Sequence, residues 1–271
     1  MRNLMQHAHA KIMGVLNVTP DSFSDGGIYL AANQAIARIH EMITEGVDII
    51  DIGAESTRPD SSAVSRDEEL RRLKPIIEHI AKTRLYKKID FSIDTYKAEV
   101  AAYALDHGFK IVNDVTALRG DSTMSDMLAS RKPFVALMYS KDACAQTTRR
   151  LVGYKDVVGH IKIFLRERIN ILTAKDFPKE NIIVDPGMGL FISSNPKYSF
   201  DVIDRLSELK ELGCPILVGI SRKTFLGATP DESDHASCAW SMQAIHNGAS
   251  IVRMHNVQMM HDVLSHKLLV R

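Results

Sequence analysis

The chain is poor in cysteine: Cys144, Cys214 and Cys238 are its three, far apart and without a Cys-x-x-Cys pair. That excludes a zinc knuckle and a disulfide framework, reads as buried or incidental thiols, and fits a reducing compartment. Excess charge is missing too, with 34 lysines and arginines against 33 acids and a formal net charge of +1. A general polyanion binder is excluded, no nucleic-acid partner is expected, and any anion site must be local. No window approaches the roughly 20 apolar residues of a membrane span, so no membrane partner is expected. The N-terminal run MRNLMQHAHAKIMG has one early arginine but no sustained apolar stretch, so no secretion signal is read and the expected address is the cytoplasm. Of the eleven histidines, only His7 and His9 stand close together, and no His-Glu-x-x-His spacing occurs, which leaves no histidine metal centre to expect.

What is there is an ordinary globular composition, 45% hydrophobic and 25% charged. Short runs rich in Val and Ile recur every 25 to 40 residues with amphipathic stretches between them, the pattern of repeated strand-helix units. The strands read as 12–17, 47–53, 90–94, 110–113, 133–138, 181–185, 215–220 and 250–254. The helices read as 31–45, 66–83, 97–106, 122–130, 157–174, 196–211, 234–247 and 258–269, and in the first of these Ile36, Ile39, Met42 and Ile43 make one apolar stripe. Eight such units without a Pro-, Gly- or Ser-rich linker predict a single (β/α)8 barrel domain spanning residues 1–271, with a doubly wound sheet as the alternative. Polar residues favour the barrel, because they end nearly every strand: Asn17, Asp51, Asp94, Asn113, Asp185, Ser221 with Lys223, and Arg253 with His255. They would converge on one mouth, whereas an open sheet gathers its ligand groups at one switch point, and no G-x-G-x-x-G follows a strand here.

The most informative stretch is MGVLNVTPDSFSDGG at 13–27, where an apolar strand opens into a long polar loop. Asn17, Thr19, Asp21, Ser22, Ser24 and Asp25 cannot all be buried unpaired, so the loop is either solvated or grips a ligand. GAESTRP follows directly after VDIIDI, and then come SIDT (92–95), VND (112–114), VDPG (184–187), GISRK (219–223) and RMH (253–255). Each motif alone is weak, but seven in this order at strand ends are specific. Together they resemble dihydropteroate synthases, which join a pterin to p-aminobenzoate, and the resemblance runs along essentially the whole chain.

A pterin presents ring N–H and exocyclic amine donors side by side, a pattern that one carboxylate accepts with two parallel hydrogen bonds, and Asp185 is the residue chosen for it. Asp94 or Asp185 taken alone reads as well as a helix cap or a turn closure. The resemblance implies that Asp94, Asn113 and Met138 also meet the pterin, and that Lys223 reaches its carbonyl side while lining the path to the second substrate. Arg253 and His255 supply donors for a departing pyrophosphate, and the resemblance adds Thr57 and Asn17, the latter beside a Mg²⁺ ion that needs few protein ligands. It further implies that Thr224 and backbone N–H groups of a helix beginning after Arg222 hold the p-aminobenzoate carboxylate, with Phe23 and Pro59 flanking its ring. The loops 18–30 and 54–65 would close together, with Asp25 and Arg58 pairing. The implied chemistry is an SN1-like substitution at the pterin methylene resting on positioning and electrostatics, and the implied assembly is a homodimer.

Five features depart from the pattern. Ala54, Asp60 and Asn256 replace a frequent glycine, glycine and aspartate. DPGMGLFISS stands where DPGFGFGK is common, so a lysine is missing, and LMYSKDACAQ departs from the usual LMHM after Met138. DPGMGxF is similar to the sulfonamide-resistant branch, whereas STRP is like the sensitive one. Two other readings compete: a corrinoid-type pterin-binding methyltransferase domain, expected to lack STRP and the SRK helix start, and a barrel that binds pterin without turnover.

Overall fold

The structure, a computed structural model, describes residues 10–18, 27–223, 225–227 and 229–269. Eight parallel strands run in the order β6-β5-β4-β3-β2-β1-β8-β7. They are β1 (Lys11–Asn17), β2 (Ile49–Gly53), β3 (Asp90–Asp94), β4 (Ile111–Asp114), β5 (Phe134–Met138), β6 (Ile182–Asp185), β7 (Leu217–Val218) and β8 (Ile251–Met254). Val184 bridges Ile216 in parallel, and the Val184 N–H reaches the Pro215 carbonyl at 2.9 Å, so β6 meets β7 and the sheet curls into a (β/α)8 barrel. The doubly wound alternative is thereby excluded.

Eight helices follow the strands: α1 (Gly27–Thr44), α2 (Arg66–Thr83), α3 (Ala98–Asp106), α4 (Met124–Arg131), α5 (Val157–Thr173), α6 (Lys197–Asp204), α7 (Pro230–His246) and α8 (Val257–Leu269). Local chemistry sets their ends. Ser65 caps α2 by accepting the Glu68 N–H at 3.2 Å, with Asp67, Glu68 and Glu69 in the first turn. Several boundaries differ from the expectation: α1 begins at Gly27 and not 31, β2 at Ile49 and not 47, β7 keeps only Leu217–Val218, and two helical boundaries have a legible cause. The helix read over 196–211 is α6 followed by a separate 3-10 segment, Leu206–Leu212, ended by Gly213 at φ 67°. The segment keeps Leu206, Leu209 and Leu212, three residues apart, on one buried face, as three residues per turn demands. Helix α7 starts four residues before the expected 234, at Pro230, because Thr229 and Glu232 form a reciprocal capping box around it.

Strand alternation divides the core in two. Ile50, Ile52, Phe91, Ile93, Val112, Val135, Leu137, Ile182, Val184 and Val252 point outward and pack with the helices. Met13, Ile49, Ile111, Ala136, Ile183, Leu217 and Ile251 form a second cluster with Phe134, a dry plug inside the barrel. All seven are fully buried. Two residues further along the strands, on the same inward side, the plug gives way to Asp51, Asn113, Met138, Asp185 and Arg253. The period of the strand therefore places a polar layer on an apolar floor.

Candidate active site

The polar layer is organised around Arg253. Its Nε donates to Asp51 Oδ2 at 2.7 Å and one terminal nitrogen donates to Asp94 Oδ2 at 2.8 Å, while Asn113 Nδ2 donates to the same Asp51 oxygen at 3.0 Å. Three strands, β2, β3 and β4, are thus tied to β8 across the barrel. Burial works against the arginine charge, but Asp51 and Asp94 outweigh it and push its pKa up. Burial, and next the Asp51 charge, raise the Asp94 carboxyl well above the usual carboxylate range, and Arg253 only partly offsets them. What the layer leaves unmade points to a ligand. Asp51 Oδ1, Asn113 Oδ1 and Ser92 Oγ are buried polar atoms with no partner among the described residues, and a buried acceptor without a donor costs about 1–3 kcal/mol.

Asp185, at the end of β6, is 4% exposed. Its Oδ1 accepts the Gly187 N–H at 2.7 Å, so the turn-closure reading holds for one oxygen, and among the described residues its other oxygen has no hydrogen-bond partner. Gly187 is obligatory here: its φ is 68°, and an added Cβ would lie 2.3 Å from the Tyr139 carbonyl oxygen. Burial raises the Asp185 carboxyl to about 6, against the pull of the Gly187 N–H and Lys223. Lys223 is moved the other way, to about 8, by burial and by the Arg253 charge. Its ammonium sits 5.1 Å from the Phe191 ring centroid.

The β7 and β8 ends supply donors. Ser221 Oγ accepts the His255 backbone N–H at 3.1 Å and lies 2.9 Å from His255 Nδ1. Burial and the Arg253 charge push the imidazole down to about 3, so His255 is neutral at pH 7. Arg222, at φ 52°, forks onto Asp234 at 2.8 and 2.9 Å, and Asn256 donates to the same carboxylate at 3.2 Å. The expected helix start directly after Arg222 is not found. The described residues there form turns, α7 begins at Pro230, and the backbone N–H groups at 222, 223 and 226 are used locally by Ser237, Ile220 and Lys223.

The barrel thus gathers Asp94, Asn113, Met138, Asp185, Lys223, Arg253 and His255 at the C-terminal ends of β3 to β8, as the strand-end reading requires. Asn17 is exposed at the end of β1, Thr57 and Pro59 are half-buried in the β2–α2 connection, and Arg58 is exposed there. Phe23, Asp25 and Thr224 lie outside the described residues, and with them the Asp25–Arg58 pairing. Asp51 is the residue that assigning roles from the sequence missed. Its signal was present: an aspartate in the otherwise apolar run IIDIG, two residues beyond a plug residue. The third motif aspartate, Asp114, binds the Thr116 and Leu118 N–H groups at 2.8 and 2.7 Å and is a turn former, unlike Asp94. Among the described residues no three His, Cys, Asp or Glu side chains are grouped to hold a metal ion.

A family model described as pterin binding enzyme matches residues 13–255. The chain belongs to the pterin-binding enzyme family. Within that family it is 38% identical over 257 residues to the dihydropteroate synthase of Synechocystis, covering 93% of this chain and 87% of that one. It is 42% identical to a probable bifunctional folylpolyglutamate synthase/dihydropteroate synthase of Haloferax volcanii, covering 91% of this chain but 29% of that protein's length. The family fold agrees as well: the Xanthomonas albilineans dihydropteroate synthase solved with 4-aminobenzoic acid superposes with a TM-score of 0.88 at 35% identity, over 97% of this chain and 93% of that one.

Proposed function

We propose that this chain is a dihydropteroate synthase, condensing 6-hydroxymethyl-7,8-dihydropterin pyrophosphate with p-aminobenzoate to give 7,8-dihydropteroate and pyrophosphate. The observation that carries the reading is the row of unpartnered acceptors above the apolar plug: Asp51 Oδ1, Asn113 Oδ1 and the free oxygen of Asp185. A pterin edge offers ring N–H and amine donors to such a row, and its flat apolar faces suit Met138 and the barrel wall. With its pKa near 6, Asp185 is mostly ionised at pH 7 and can take two parallel hydrogen bonds. Lys223, mostly charged below about 8, complements the carbonyl side.

The bond that breaks joins the methylene carbon to the pyrophosphate oxygen, and the bond that forms joins that carbon to the arylamine nitrogen, whose proton leaves with solvent or pyrophosphate. Departure first is favoured where the pterin ring delocalises the cation and the surrounding carboxylates stabilise it. In this reading Arg253 and the neutral His255 supply donors to the leaving group. Ser221 Oγ accepts a backbone N–H and can give its own hydrogen to His255 Nδ1; in that tautomer Nε2 carries the ring hydrogen and can donate to the anion. Thr57 and Arg58 would reach the same anion from the β2–α2 connection, and Pro59, with Phe23 and Thr224, would contact the p-aminobenzoate. Asn17 fits a Mg²⁺ ion shared with pyrophosphate, since its exposed amide offers one neutral oxygen and an ion of this kind takes its remaining ligands from phosphate and water. Bound there, the ion would neutralise charge on the leaving group.

We also place the chain in the cytoplasm as one barrel domain that self-associates through its helices. Three free cysteines accord with the first point. A cleft of about 640 Å³ between α7 and α8, lined by residues including Cys238, Met259 and Val263, accords with the last. Pyrophosphate release in the presence of both substrates tests the function. Release that needs p-aminobenzoate and Mg²⁺ supports it, and a purified chain that binds pterin but releases nothing refutes it.

A further inference from the structure

The two departures from the family pattern, LMYSKDACAQ and DPGMGLFISS, lie in different connections, yet they are bonded to one another. Lys141, in the β5–α5 connection (139–156), has a side chain 2% exposed, and its ammonium donates to Asp142 Oδ2 at 2.7 Å, Thr147 Oγ1 at 3.1 Å, the Thr148 carbonyl at 2.8 Å and the Leu190 carbonyl at 2.6 Å. Its backbone N–H holds the Phe191 carbonyl at 2.8 Å. Burial alone would raise the Asp142 carboxyl, but Lys141 and the Thr148 N–H and hydroxyl hold it below its usual range. The result is an ionic knot that on one side grips the loop carrying Phe191, the ring beneath the Lys223 ammonium.

The other face of the knot grips the STRP loop. The Thr147 N–H donates to the Thr57 carbonyl at 3.1 Å, and Gln146 Nε2 donates to Glu55 Oε1 at 2.6 Å. Glu55 is itself held by Lys97, which also binds the fully buried Glu69 at 2.5 Å, and by the Tyr96 hydroxyl at 3.2 Å. A chain of hydrogen bonds, charge-assisted at Lys141, Asp142 and Glu55, therefore runs from the β6–α6 connection through Lys141 and Gln146 to Glu55 and the Thr57 carbonyl. Such bonds in a partly dry setting hold geometry more firmly than neutral ones.

We propose that Lys141 and Gln146 are positioning residues for the second substrate: the knot sets the distance between the STRP loop and the Phe191 loop and so shapes the p-aminobenzoate subsite, while the pterin layer stands independently on the strands. The inference rests on the synthase reading for its kinetic consequence, but the clamp itself is testable without turnover. Gln146→Ala removes one tie and leaves the Lys141–Asp142 pair intact. Gln146→Glu sets a carboxylate against Glu55. Hydrogen exchange of residues 54–65 is expected to quicken in the order wild type, Gln146→Ala, Gln146→Glu, with the strand amides unchanged. Lys141→Met is expected to loosen 186–196 as well. In the synthase assay the KM for p-aminobenzoate should rise about fivefold in Gln146→Ala and about 20-fold in Gln146→Glu; the KM for the pterin pyrophosphate, whose phosphates Thr57 and Arg58 also reach, should rise by a smaller factor, with binding of a phosphate-free pterin staying within twofold. Unchanged exchange of 54–65 in both Gln146 variants overturns the clamp, whether or not the wild type turns over. Quickened exchange with equal rises in both KM values overturns its selectivity for the second substrate. A wild type without pyrophosphate release refutes the synthase reading, and exchange then decides the clamp alone.

Discussion

The two levels inside the barrel are one strand period apart and have opposite chemistry. The lower, of Met13, Ile49, Ile111, Ala136, Ile183, Leu217 and Ile251, is dry and built of apolar side chains alone. The upper, of Asp51, Asp94, Asn113, Asp185 and Arg253, is held by ionic bonds and still leaves buried acceptors unmatched. The lower level stabilises the fold by apolar burial, about 1.5–3 kcal/mol for each large aliphatic side chain. The upper level costs stability that a ligand with donors would return. Stability and binding should therefore separate cleanly between residues only two positions apart.

The largest effect is expected at Arg253, which neutralises two buried carboxylates. Arg253→Ala should lower stability by about 3–5 kcal/mol at pH 8, because Asp51 and Asp94 are then left facing each other unpaired. The pH dependence gives the cause away. The Asp94 pKa is raised in the folded protein and loses in the variant the largest of the neighbours that lower it. A folded-state pKa above the unfolded value gives stability at low pH that is lost as pH rises through it. The variant should thus recover toward wild type as pH falls to about 5. Urea midpoints across that range check this, and a deficit that does not change with pH would mean that Arg253 matters for packing rather than charge. Pyrophosphate binding should also fall more than binding of a phosphate-free pterin.

In the lower level, Ile183→Ala should cost about 2–5 kcal/mol by opening a cavity among Ile111, Ala136 and Leu217. Pterin affinity, measured by calorimetry on the folded fraction, should stay within twofold. A large loss of affinity would show that the plug sets the geometry of the layer above and that the two levels are not independent.

Asp185→Asn, two residues along the same strand, should do the reverse. Replacing an acceptor by a donor that faces a donor should weaken pterin binding by about 1.5–3 kcal/mol, roughly 10- to 150-fold. The folded protein should gain stability, because the Asp185 pKa lies near 6 when folded against an ordinary value of 3.8. A raised carboxyl pKa means that the folded state disfavours the ionised form, so the cost is absent below about pH 4, grows between about 4 and 6, and is full above. The gain from Asp185→Asn, about 2–3 kcal/mol at pH 7 on that shift, should vanish at pH 4. A variant equally stabilised at both pH values, or one that still binds pterin, would place the reading carboxylate elsewhere, with Asp94 the next candidate.

How far the sequence announced this division can be judged residue by residue. The eight strands were legible because buried parallel strands are short Val- and Ile-rich runs, and the mouth was legible because each run ended on a polar residue. Asp185 and Asn113 followed from that pattern. Asp51 did not receive a role because its importance lies in partners 62 and 202 positions away, Asn113 and Arg253, which no local pattern shows. Arg253 was read as a group for the leaving anion alone, since its two carboxylate partners come from other strands. The helix expected after Arg222 failed for a different reason: the start signal that wins, Thr229 with Pro230 and Glu232, lies seven residues downstream and was passed over. The tie between Lys141 and Leu190 was invisible because two loop conformations had to be known before the contact existed.

The smallest effect tests the edge of the polar layer, where a hydroxyl rather than a charge does the orienting. Ser221 lies in the turn just beyond β7, and it both accepts the His255 N–H and lies against Nδ1. Ser221→Ala leaves the imidazole in place but frees its tautomer, so Nε2 is no longer held as the donor facing the anion. The fold should lose no more than about 1 kcal/mol, the worth of a neutral hydrogen bond. Pyrophosphate affinity should fall about three- to tenfold, again the scale of one hydrogen bond, while a phosphate-free pterin binds as before. Because burial and the neighbouring cations hold His255 at about 3, no new pH dependence should arise between 6 and 8. Two titrations at each pH decide the matter. If pyrophosphate binding is untouched, Ser221 only braces the β7–β8 turn, and the boundary of the ligand-binding level lies at Arg253. If binding instead becomes pH-dependent near 6.5, the imidazole has gained access to its charged form, and it was Ser221 that kept the edge of this layer neutral.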